Sequence, residues 1–463
     1  MIRLTAPLIV AAAIGTVLPA GVAQAATGPV ASDFNGDGYR DLAIPAPHVA
    51  VGNHSAAGAV VVLYGSASGV SPARRAVITQ NSPGVPGEAE FWDLFGSSVS
   101  AADLDGDGFS DLVVGTPNES WGGHDSAGVV TVLWGSRSGL VSGSNLTTPG
   151  IAINSYGQEV AATTLGGKPL VVVGADGGTG LRFTGPFRRT GEAGRRQTLA
   201  VDPKQVAFGD LNKDGTPESV VVTGHSSGWG GGFVYVDPHK SNAEHLWEPS
   251  AARGGMPAIG DVNGDGHKDV VLGHPAEPET AGDTVNIGGR VSIWYGSAQG
   301  IDVSTMPVQF SQSAAGIPGV NEKGDRFGSS VAVADLDRDG KAEIIIGAPG
   351  EDIAEAADAG SVTVIPGIAS RKPGAGAYNL TQGTPGIPGT SATGDQFGST
   401  LSAADVTKDG RPELFIGALG EGAVWSLPGG TNGPTPAGST LISARSFGLY
   451  GDQWFSGEGV RAE

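Results

Sequence analysis

A nine-residue acidic loop occurs six times in the sequence. The first copy runs from Asp33 to Asp41 and reads DFNGDGYRD. Positions 1, 3, 5 and 9 carry oxygen-bearing side chains, and the glycine at position 6 permits the sharp turn that brings these oxygens together. Such a loop can enclose one hard cation, with a backbone carbonyl from position 7 as a further ligand. The predicted metal ligands are Asp33, Asn35, Asp37, Tyr39 and Asp41; Asp103, Asp105, Asp107, Phe109 and Asp111; Asp210, Asn212, Asp214, Thr216 and Glu218; Asp261, Asn263, Asp265, His267 and Asp269; Asp335, Asp337, Asp339, Lys341 and Glu343; and Asp405, Thr407, Asp409, Arg411 and Glu413.

The composition of these loops predicts structural Ca²⁺ at up to six sites. The side chains expected to bind are oxygen donors, and flexible oxygen shells suit Ca²⁺ better than Mg²⁺. An EF-hand is the main alternative, but its twelfth position needs an acid, and here that position is aliphatic in every copy. We expect the copies at Asp103 and Asp335, with four acids each, to bind most tightly. The copy at Asp405 carries the neutral Thr407 and should bind most weakly.

The acidic loop belongs to a longer repeat. A short apolar segment precedes each loop, and an apolar run follows it, as in 112–115. A variable loop then leads to a third apolar strand and a fourth, with turn residues between them. The third strand recurs seven times, near Gly58, Gly128, Gly180, Gly232, Gly289, Gly360 and Gly422. Four strands repeated seven times predict an all-β fold, a seven-bladed β-propeller.

The repeat resembles the FG-GAP family, which is known from integrin α-subunits and from secreted bacterial proteins. Phe95-Gly96, Phe327-Gly328 and Phe397-Gly398 match the first half of the motif, and Gly347-Ala348-Pro349 matches the second. The resemblance covers essentially all of residues 26–463. It implies a seven-bladed propeller whose acidic loops bind Ca²⁺ and whose ligands bind on the opposite face.

The N-terminal 25 residues have the pattern of a secretory signal peptide. Arg3 is followed by an apolar run from Leu8 to Leu18 and by the small-residue site Ala23-Gln24-Ala25. We therefore expect residues 26–463 to form one secreted, extracellular propeller domain without a membrane span, most simply a monomer. The sequence contains no cysteine, so disulfides cannot stabilise its loops. A formal net charge of −20 argues against nucleic acid as a partner.

The two ends of the chain suggest how the ring closes. Little sequence precedes Asp33 to form the first strand of the first blade. Residues 451–456 resemble 394–399, which precede an acidic loop. We expect the C-terminal residues to supply the missing strand, so that the N- and C-terminal strands pair within one blade and leave no exposed edge.

The third unit differs from the others because it lacks the acidic loop. Its equivalent segment, 163–169, contains no acid. The same unit is rich in arginine. These side chains could form a basic patch for an acidic ligand, but local ion pairs with acidic neighbours are the favoured interpretation. The arginines are Arg182, Arg188, Arg189, Arg195 and Arg196.

The sequence contains no convincing catalytic motif. The segment 224–228 matches the serine nucleophile elbow, GxSxG, but it lies between two predicted strands, whereas the elbow requires a following helix. The glycines of 174–180 lack the helix and the Lys-Ser/Thr pair of a phosphate loop. A non-catalytic role is therefore favoured over catalysis.

The loops opposite the acidic loops are the predicted ligand side, because they are long and variable. Exposed Trp and His side chains commonly anchor sugars and proteins. The candidates are Trp92, Trp121, His124, His225, Trp229 and His274. The sequence favours a recognition or adhesion module for an unknown extracellular protein or polysaccharide. The alternative is an extracellular hydrolase or lyase that acts on polysaccharide or phosphodiester substrates in the central funnel.

Overall fold

Seven four-stranded antiparallel sheets account for almost all regular structure in the protein. The computed structural model describes residues 30–146, 154–176, 179–223, 233–240, 244–246, 255–276, 287–367 and 369–449. Within each sheet the strands lie side by side in chain order. The predicted seven-bladed β-propeller is therefore confirmed.

The first four blades contain sixteen strands. Blade 1 consists of β1 (Val30–Ser32), β2 (Asp41–Ala46), β3 (Ala59–Leu63) and β4 (Arg75–Ile78). Blade 2 consists of β5 (Ser98–Ala102), β6 (Asp111–Thr116), β7 (Val129–Trp134) and β8 (Ser142–Asn145). Blade 3 consists of β9 (Asn154–Thr163), β10 (Leu170–Asp176), β11 (Gly180–Thr184) and β12 (Arg195–Leu199), with a 3₁₀ turn at Leu165–Gly167. Blade 4 consists of β13 (Pro203–Gly209), β14 (Glu218–Thr223), β15 (Val234–Val236) and β16 (Glu244–His245).

The last three blades follow the same plan. Blade 5 consists of β17 (Pro257–Gly260), β18 (Asp269–His274), β19 (Arg290–Trp294) and β20 (Val308–Phe310). Blade 6 consists of β21 (Ser330–Ala334), β22 (Glu343–Ala348), β23 (Ser361–Ile365) and β24 (Tyr378–Leu380). Blade 7 consists of β25 (Phe397–Ala404), β26 (Glu413–Ala418), β27 (Ala423–Leu427) and β30 (Thr440–Ser443), with the short hairpin β28 (Gly429–Gly430) and β29 (Gly433–Pro434) before β30. A 3₁₀ turn follows at Ala444–Phe447.

The core lies between neighbouring blades rather than inside any one sheet. Val60 and Val62 of blade 1 pack with Val99, Leu112 and Val114 of blade 2, and all five side chains are fully buried. The second and third strands are apolar on both faces because each blade is covered by a neighbour on both sides. No blade can bury its apolar surface alone, so the ring is stable only as a whole.

The first strands of the seven blades form a closed inner ring. Each contacts the first strand of the next blade, and β25 of blade 7 contacts β1. Blades 7 and 1 also share a core, in which Leu42 and Ile44 pack with Phe415, Val424 and Ile442. The ring therefore closes by packing between the first and last blades.

The origin of the first strand of blade 1 differs from our prediction. Val30–Ser32 occupies this position, and its residues pair with Asp41 to Ala43 of β2. Residues 451–456, which were expected to supply the strand, lie outside the described residues. Phe447 and Leu449, just before them, pack into the core shared by blades 7 and 1.

Candidate functional site: six acidic loops and the opposite face

The six acidic loops lie on one face of the ring, because each connects the first strand of a blade to its second. We call this the acidic-loop face. Blade 3 alone replaces the loop, with the 3₁₀ turn Leu165–Gly167, as its sequence predicts. Neighbouring loops contact each other: Ser110 N–H donates to the Asp33 carbonyl (2.9 Å), and Ala342 N–H to the Asp261 carbonyl (2.8 Å). The loops thus form an arc that links successive blades.

The acid at position 9 anchors each loop to the blade. This residue is the first of the second strand in all six copies, and it is at most 6% exposed. In blade 2, one oxygen of Asp111 accepts the Leu104 N–H and the other accepts the Gly135 N–H, both at 2.8 Å. Asp269 makes the same pair of bonds, to Val262 N–H (2.9 Å) and Gly296 N–H (2.8 Å). These hydrogen bonds fix the orientation of the position-9 carboxylates in these two blades.

Backbone N–H groups orient the acids at positions 1, 3 and 5. In the first loop, Asp33 accepts from the N–H groups of Gly36 (2.6 Å) and Gly38 (2.8 Å). Asn35 accepts from Asp37 N–H, and Asp37 from Tyr39 N–H. Gly38 has a φ of 86°, a left-handed conformation that glycine adopts without steric cost. These bonds turn the side-chain oxygens toward the inside of the loop.

Carboxylate oxygens converge in two of the loops. Single oxygens of Asp103, Asp105 and Asp111 lie within 4.8 Å of one another, as do oxygens of Asp335, Asp337 and Asp339. These are the two copies with four acids. In the loop expected to be weakest, Thr407 Oγ1 donates to Glu413 Oε1 (2.9 Å) instead of adding a carboxylate.

Burial places an electrostatic cost on these acids. It raises the pKa of Asp41, Asp111, Asp269 and Glu343 to about 7, although backbone hydrogen bonds counteract the shift. A hydrogen bond from Lys341 instead lowers the pKa of Asp339 at the rim of its loop. Several carboxylates converge around a partly buried space, so a divalent cation would relieve both their desolvation and their mutual repulsion. The donor set is all oxygen, which fits a hard cation.

Basic side chains contact the rims of several loops. Arg74 lies 3.4 Å from Asp37, and Arg371 reaches from blade 6 to Asp265 of blade 5 (2.8 Å). Arg189 of blade 3 bonds two acids of the blade-2 loop, Asp105 and Asp107. For Arg189, the structure therefore contains the local ion pairs that the sequence favoured.

The opposite face is built from the connections between second and third strands and those between blades. Trp92 N–H donates to the Ser55 carbonyl (3.0 Å), which ties these two kinds of connection together. Trp92 is 43% exposed and Trp121 is 49% exposed. Trp121 and His124 close a short hairpin through two backbone bonds of 3.1 Å, and His124 is exposed. Phe91, beside Trp92, is 66% exposed.

One predicted residue of the opposite face is buried. His274 ends β18, is 4% exposed, and its Nε2 lies 3.1 Å from Ser292 Oγ of the neighbouring strand. The prediction that His274 contacts a ligand is wrong for this reason. His225 and Trp229 lie outside the described residues, as does the segment 224–228 that resembles a nucleophile elbow.

A repeated glutamine–glutamate pair at the blade junctions was not predicted from sequence. Gln80 Nε2 donates to Glu119 Oε2 at 2.6 Å, and the pairs Gln312–Glu351 (2.5 Å) and Gln382–Glu421 (2.6 Å) are equivalent. Each pair fastens a connection between blades to the following blade. The constant separation of 39 residues is a signal that could have revealed it. Burial raises the pKa of Glu119 to about 7 despite this bond.

Sequence comparisons agree with this architecture. The FG-GAP repeat profile matches residues 25–63, 95–133, 327–365 and 397–439, which correspond to blades 1, 2, 6 and 7. Integrin alpha-5 of Xenopus laevis is 34% identical over 165 residues, which are 35% of this chain and 14% of that protein. Human integrin alpha-IIb is 29% identical over 228 residues, 47% of this chain and 20% of that protein.

A second group of relatives carries the name of an enzyme. Phosphatidylinositol-glycan-specific phospholipase D of Mus musculus is 30% identical over 193 residues, 38% of this chain and 20% of that protein. The chain thus matches about a fifth or less of the length of each of these relatives. The protein is a seven-bladed β-propeller of four-stranded blades that carries FG-GAP repeats and is similar to integrin α-subunits.

Proposed function

We propose that the protein is a secreted, calcium-binding β-propeller that acts as a non-catalytic recognition or adhesion module for an extracellular protein or polysaccharide. The observation that carries the proposal is the division of the ring into two faces. Six oxygen-lined loops occupy one face, and exposed aromatic side chains occupy loops of the other. Cations would stabilise the blades from one side and leave the other free for a ligand.

Calcium fits the acidic loops better than other common metals. Each loop offers carboxylate, amide or hydroxyl oxygens at positions 1, 3, 5 and 9 and no sulfur or imidazole at those positions. The position-9 acid is already oriented by two N–H groups in blades 1, 2 and 5. Extracellular calcium modules bind with a Kd of roughly 10⁻⁴–10⁻³ M, so occupancy outside the cell is expected.

Trp92 is the strongest candidate for a ligand anchor. It has a φ of 67°, a left-handed conformation that costs a non-glycine residue about 1–2 kcal/mol. The equivalent positions, three residues before Phe327 and Phe397, are Gly324 and Gly394, which adopt this conformation without that cost. The fold therefore does not require a tryptophan here, and a half-exposed aromatic ring that costs stability is best explained by contact with a ligand.

The charge around these aromatic residues limits the kind of ligand. Residues 76–136 contain no lysine or arginine. On the opposite face this segment carries exposed acids close in sequence to Phe91, Trp92 and Trp121. They are Glu88, Glu90 and Asp125. A ligand that binds here should therefore be neutral or positively charged, and strongly anionic polysaccharides are disfavoured.

The enzyme alternative rests on the phospholipase D relatives, whose name describes hydrolysis of a phosphodiester. The matched region is a fifth of the mouse protein and 38% of this chain. Within the described ranges, the converging acids of the acidic loops are explained by cation binding. Hydrolysis of phosphatidylinositol-glycan by the purified chain would establish the alternative.

Localisation outside the cell is part of the proposal. It is supported by the signal-peptide pattern of residues 1–25. Among the described residues, no helix is long and apolar enough to cross a membrane. Mass spectrometry of the exported protein should find a mature N-terminus close to residue 26. Recovery of a full-length, cell-retained chain would contradict this part of the proposal.

A binding screen tests the recognition function. Arrays of glycans and of extracellular proteins would be probed with the wild type and with Trp92→Gly and Trp121→Ala. Asp358→Asn, an exposed position in the equivalent loop of blade 6, serves as the control. We expect one class of ligand to bind the wild type and the control, with at least tenfold weaker binding by the tryptophan variants. Ligands that bind all four proteins equally would place the site elsewhere.

A further inference from the structure

One arginine from blade 3 enters the acidic loop of blade 2. Arg189 lies in the connection between β11 and β12, on the acidic-loop face. Its Nε donates to Asp105 Oδ2 (2.7 Å), and its Nη2 donates to Asp107 Oδ2 (2.6 Å). The same Nη2 reaches the Gly135 carbonyl at 3.2 Å, and the guanidinium lies 5.6 Å from the centre of the Trp134 ring. The contact therefore fixes the guanidinium in position and orientation.

The acids that Arg189 contacts are predicted cation ligands at positions 3 and 5. Among the four acids of this loop, oxygens of Asp103, Asp105 and Asp111 converge, whereas Asp107 is not part of that group. In the blade-6 loop the position-5 acid, Asp339, does belong to the converging group. The different placement of Asp107 coincides with its short bond to Arg189.

Gly135 connects the guanidinium to the rest of the loop. Its N–H donates to the buried Asp111 at position 9 (2.8 Å), and its carbonyl accepts from Arg189. Arg189 thus contacts two ligand positions directly and is linked to a third through the backbone of Gly135. Blade 3, which lacks an acidic loop of its own, contributes a positive charge to the loop of its neighbour.

We infer that Arg189 sets the cation affinity of the blade-2 loop and joins blades 2 and 3 when the cation is absent. The inference rests on the proposed calcium binding. The loop has four acids, and one guanidinium changes their summed formal charge from −4 to −3. This loop therefore binds a cation less tightly than its acid count implies, which revises the ranking expected from sequence.

A comparison within the ring supports this assignment. Arg371 of blade 6 also reaches back to the preceding blade, where it stacks on Tyr295 (4.7 Å) and bonds Asp265 (2.8 Å). It contacts one ligand position, whereas Arg189 contacts two. In the blade-6 loop the basic contact is Lys341 from within the loop, at 2.5 Å from Asp339. Among the described residues, an arginine thus contacts the acidic loop of the preceding blade twice. The contact made by Arg189 with the blade-2 loop is the more extensive of the two.

The test compares the terbium affinity of Arg189→Gln with that of the wild type. Trp134 can sensitise the emission of terbium bound at this loop. Calcium is then added to displace the terbium. Removal of one positive charge that contacts two ligand carboxylates should tighten binding at one class of sites about tenfold. Arg188→Gln is the matched control, because Arg188 is the exposed neighbour and the change in net charge is the same. Arg189→Lys keeps the charge but loses the two-pronged contact, so its affinity should lie between those of the wild type and Arg189→Gln.

A thermal melt gives a second readout that does not depend on cation binding. In chelator, Arg189→Gln should melt below the wild type and below Arg188→Gln, because the four carboxylates of the loop then have no compensating charge from blade 3. In saturating calcium this difference should disappear or reverse. Wild type and Arg189→Gln with equal terbium affinity would overturn the inference and leave calcium binding intact. A wild type that binds no terbium would instead overturn the proposed calcium function, so the two failures are distinguishable.

Discussion

Replacement of Asp111 by asparagine tests whether an acidic loop contributes to stability through a bound cation. Asp111 is fully buried and accepts the N–H groups of Leu104 and Gly135 through separate oxygens. Asparagine keeps one acceptor oxygen, so one of these N–H groups faces an amide NH₂, which costs about 1–3 kcal/mol. Without a cation this cost is partly offset, because burial disfavours the charged aspartate and raises its pKa to about 7. The net destabilisation in chelator should therefore be below about 2 kcal/mol.

The calcium-dependent part of the effect is the informative quantity. A site with a Kd of 10⁻⁴–10⁻³ M in 10 mM calcium contributes about 1.4–2.7 kcal/mol to the free energy of unfolding. Asp111→Asn should lose most of this contribution. Urea unfolding of both proteins in chelator and in 10 mM calcium measures the difference. Asp125→Asn, an exposed change in the same blade, should show no calcium-dependent loss. An equal effect of Asp111→Asn in both conditions would refute the role of this loop in cation binding.

Three further changes test other parts of the structure. Glu159 is fully buried, and burial raises its pKa well above 4.5. Its ionisation therefore destabilises the fold as the pH rises. Relative to the wild type, Glu159→Gln should gain up to about 1.4 kcal/mol of stability per pH unit above pH 4.5. Urea unfolding from pH 5 to 8 measures this, and a pH-independent difference between the two proteins would contradict it. Trp92→Gly should leave stability within about 1 kcal/mol of the wild type, because relief of the left-handed strain balances lost contacts; a loss above about 2 kcal/mol would show that the tryptophan is structural. Phe447→Ala should cost about 3 kcal/mol, because the ring packs in the core between blades 7 and 1, and an unchanged unfolding midpoint would remove this segment from ring closure.

The repeat made much of the fold predictable. The glycine at position 6 and the acid at position 9 mark the turn and the start of the second strand in each copy, and the strands β2, β6, β14, β18, β22 and β26 begin at those acids. The aliphatic residue at position 12 lies in the strand, which excludes the EF-hand. These features are local, so they can be recognised without knowledge of how the blades pack.

Features that depend on contacts between blades could not be predicted. The three residues Val30–Ser32 are too few to show a strand pattern before the ring is assembled. His274 ends a strand, and only the neighbouring strand determines that it is covered. Arg189 and Asp105 lie in different blades. Their pairing follows from the closed ring and not from any local pattern.

The number of calcium ions bound per chain tests the central claim most directly. The chain would be freed of metal with a chelator and then equilibrated by dialysis in millimolar calcium, and bound calcium would be counted by atomic emission. The six acidic loops predict about six ions per chain, with lower occupancy in the loop that contains Thr407. A chain that retains one ion or none under these conditions would contradict the claim that calcium bound at these loops stabilises the propeller.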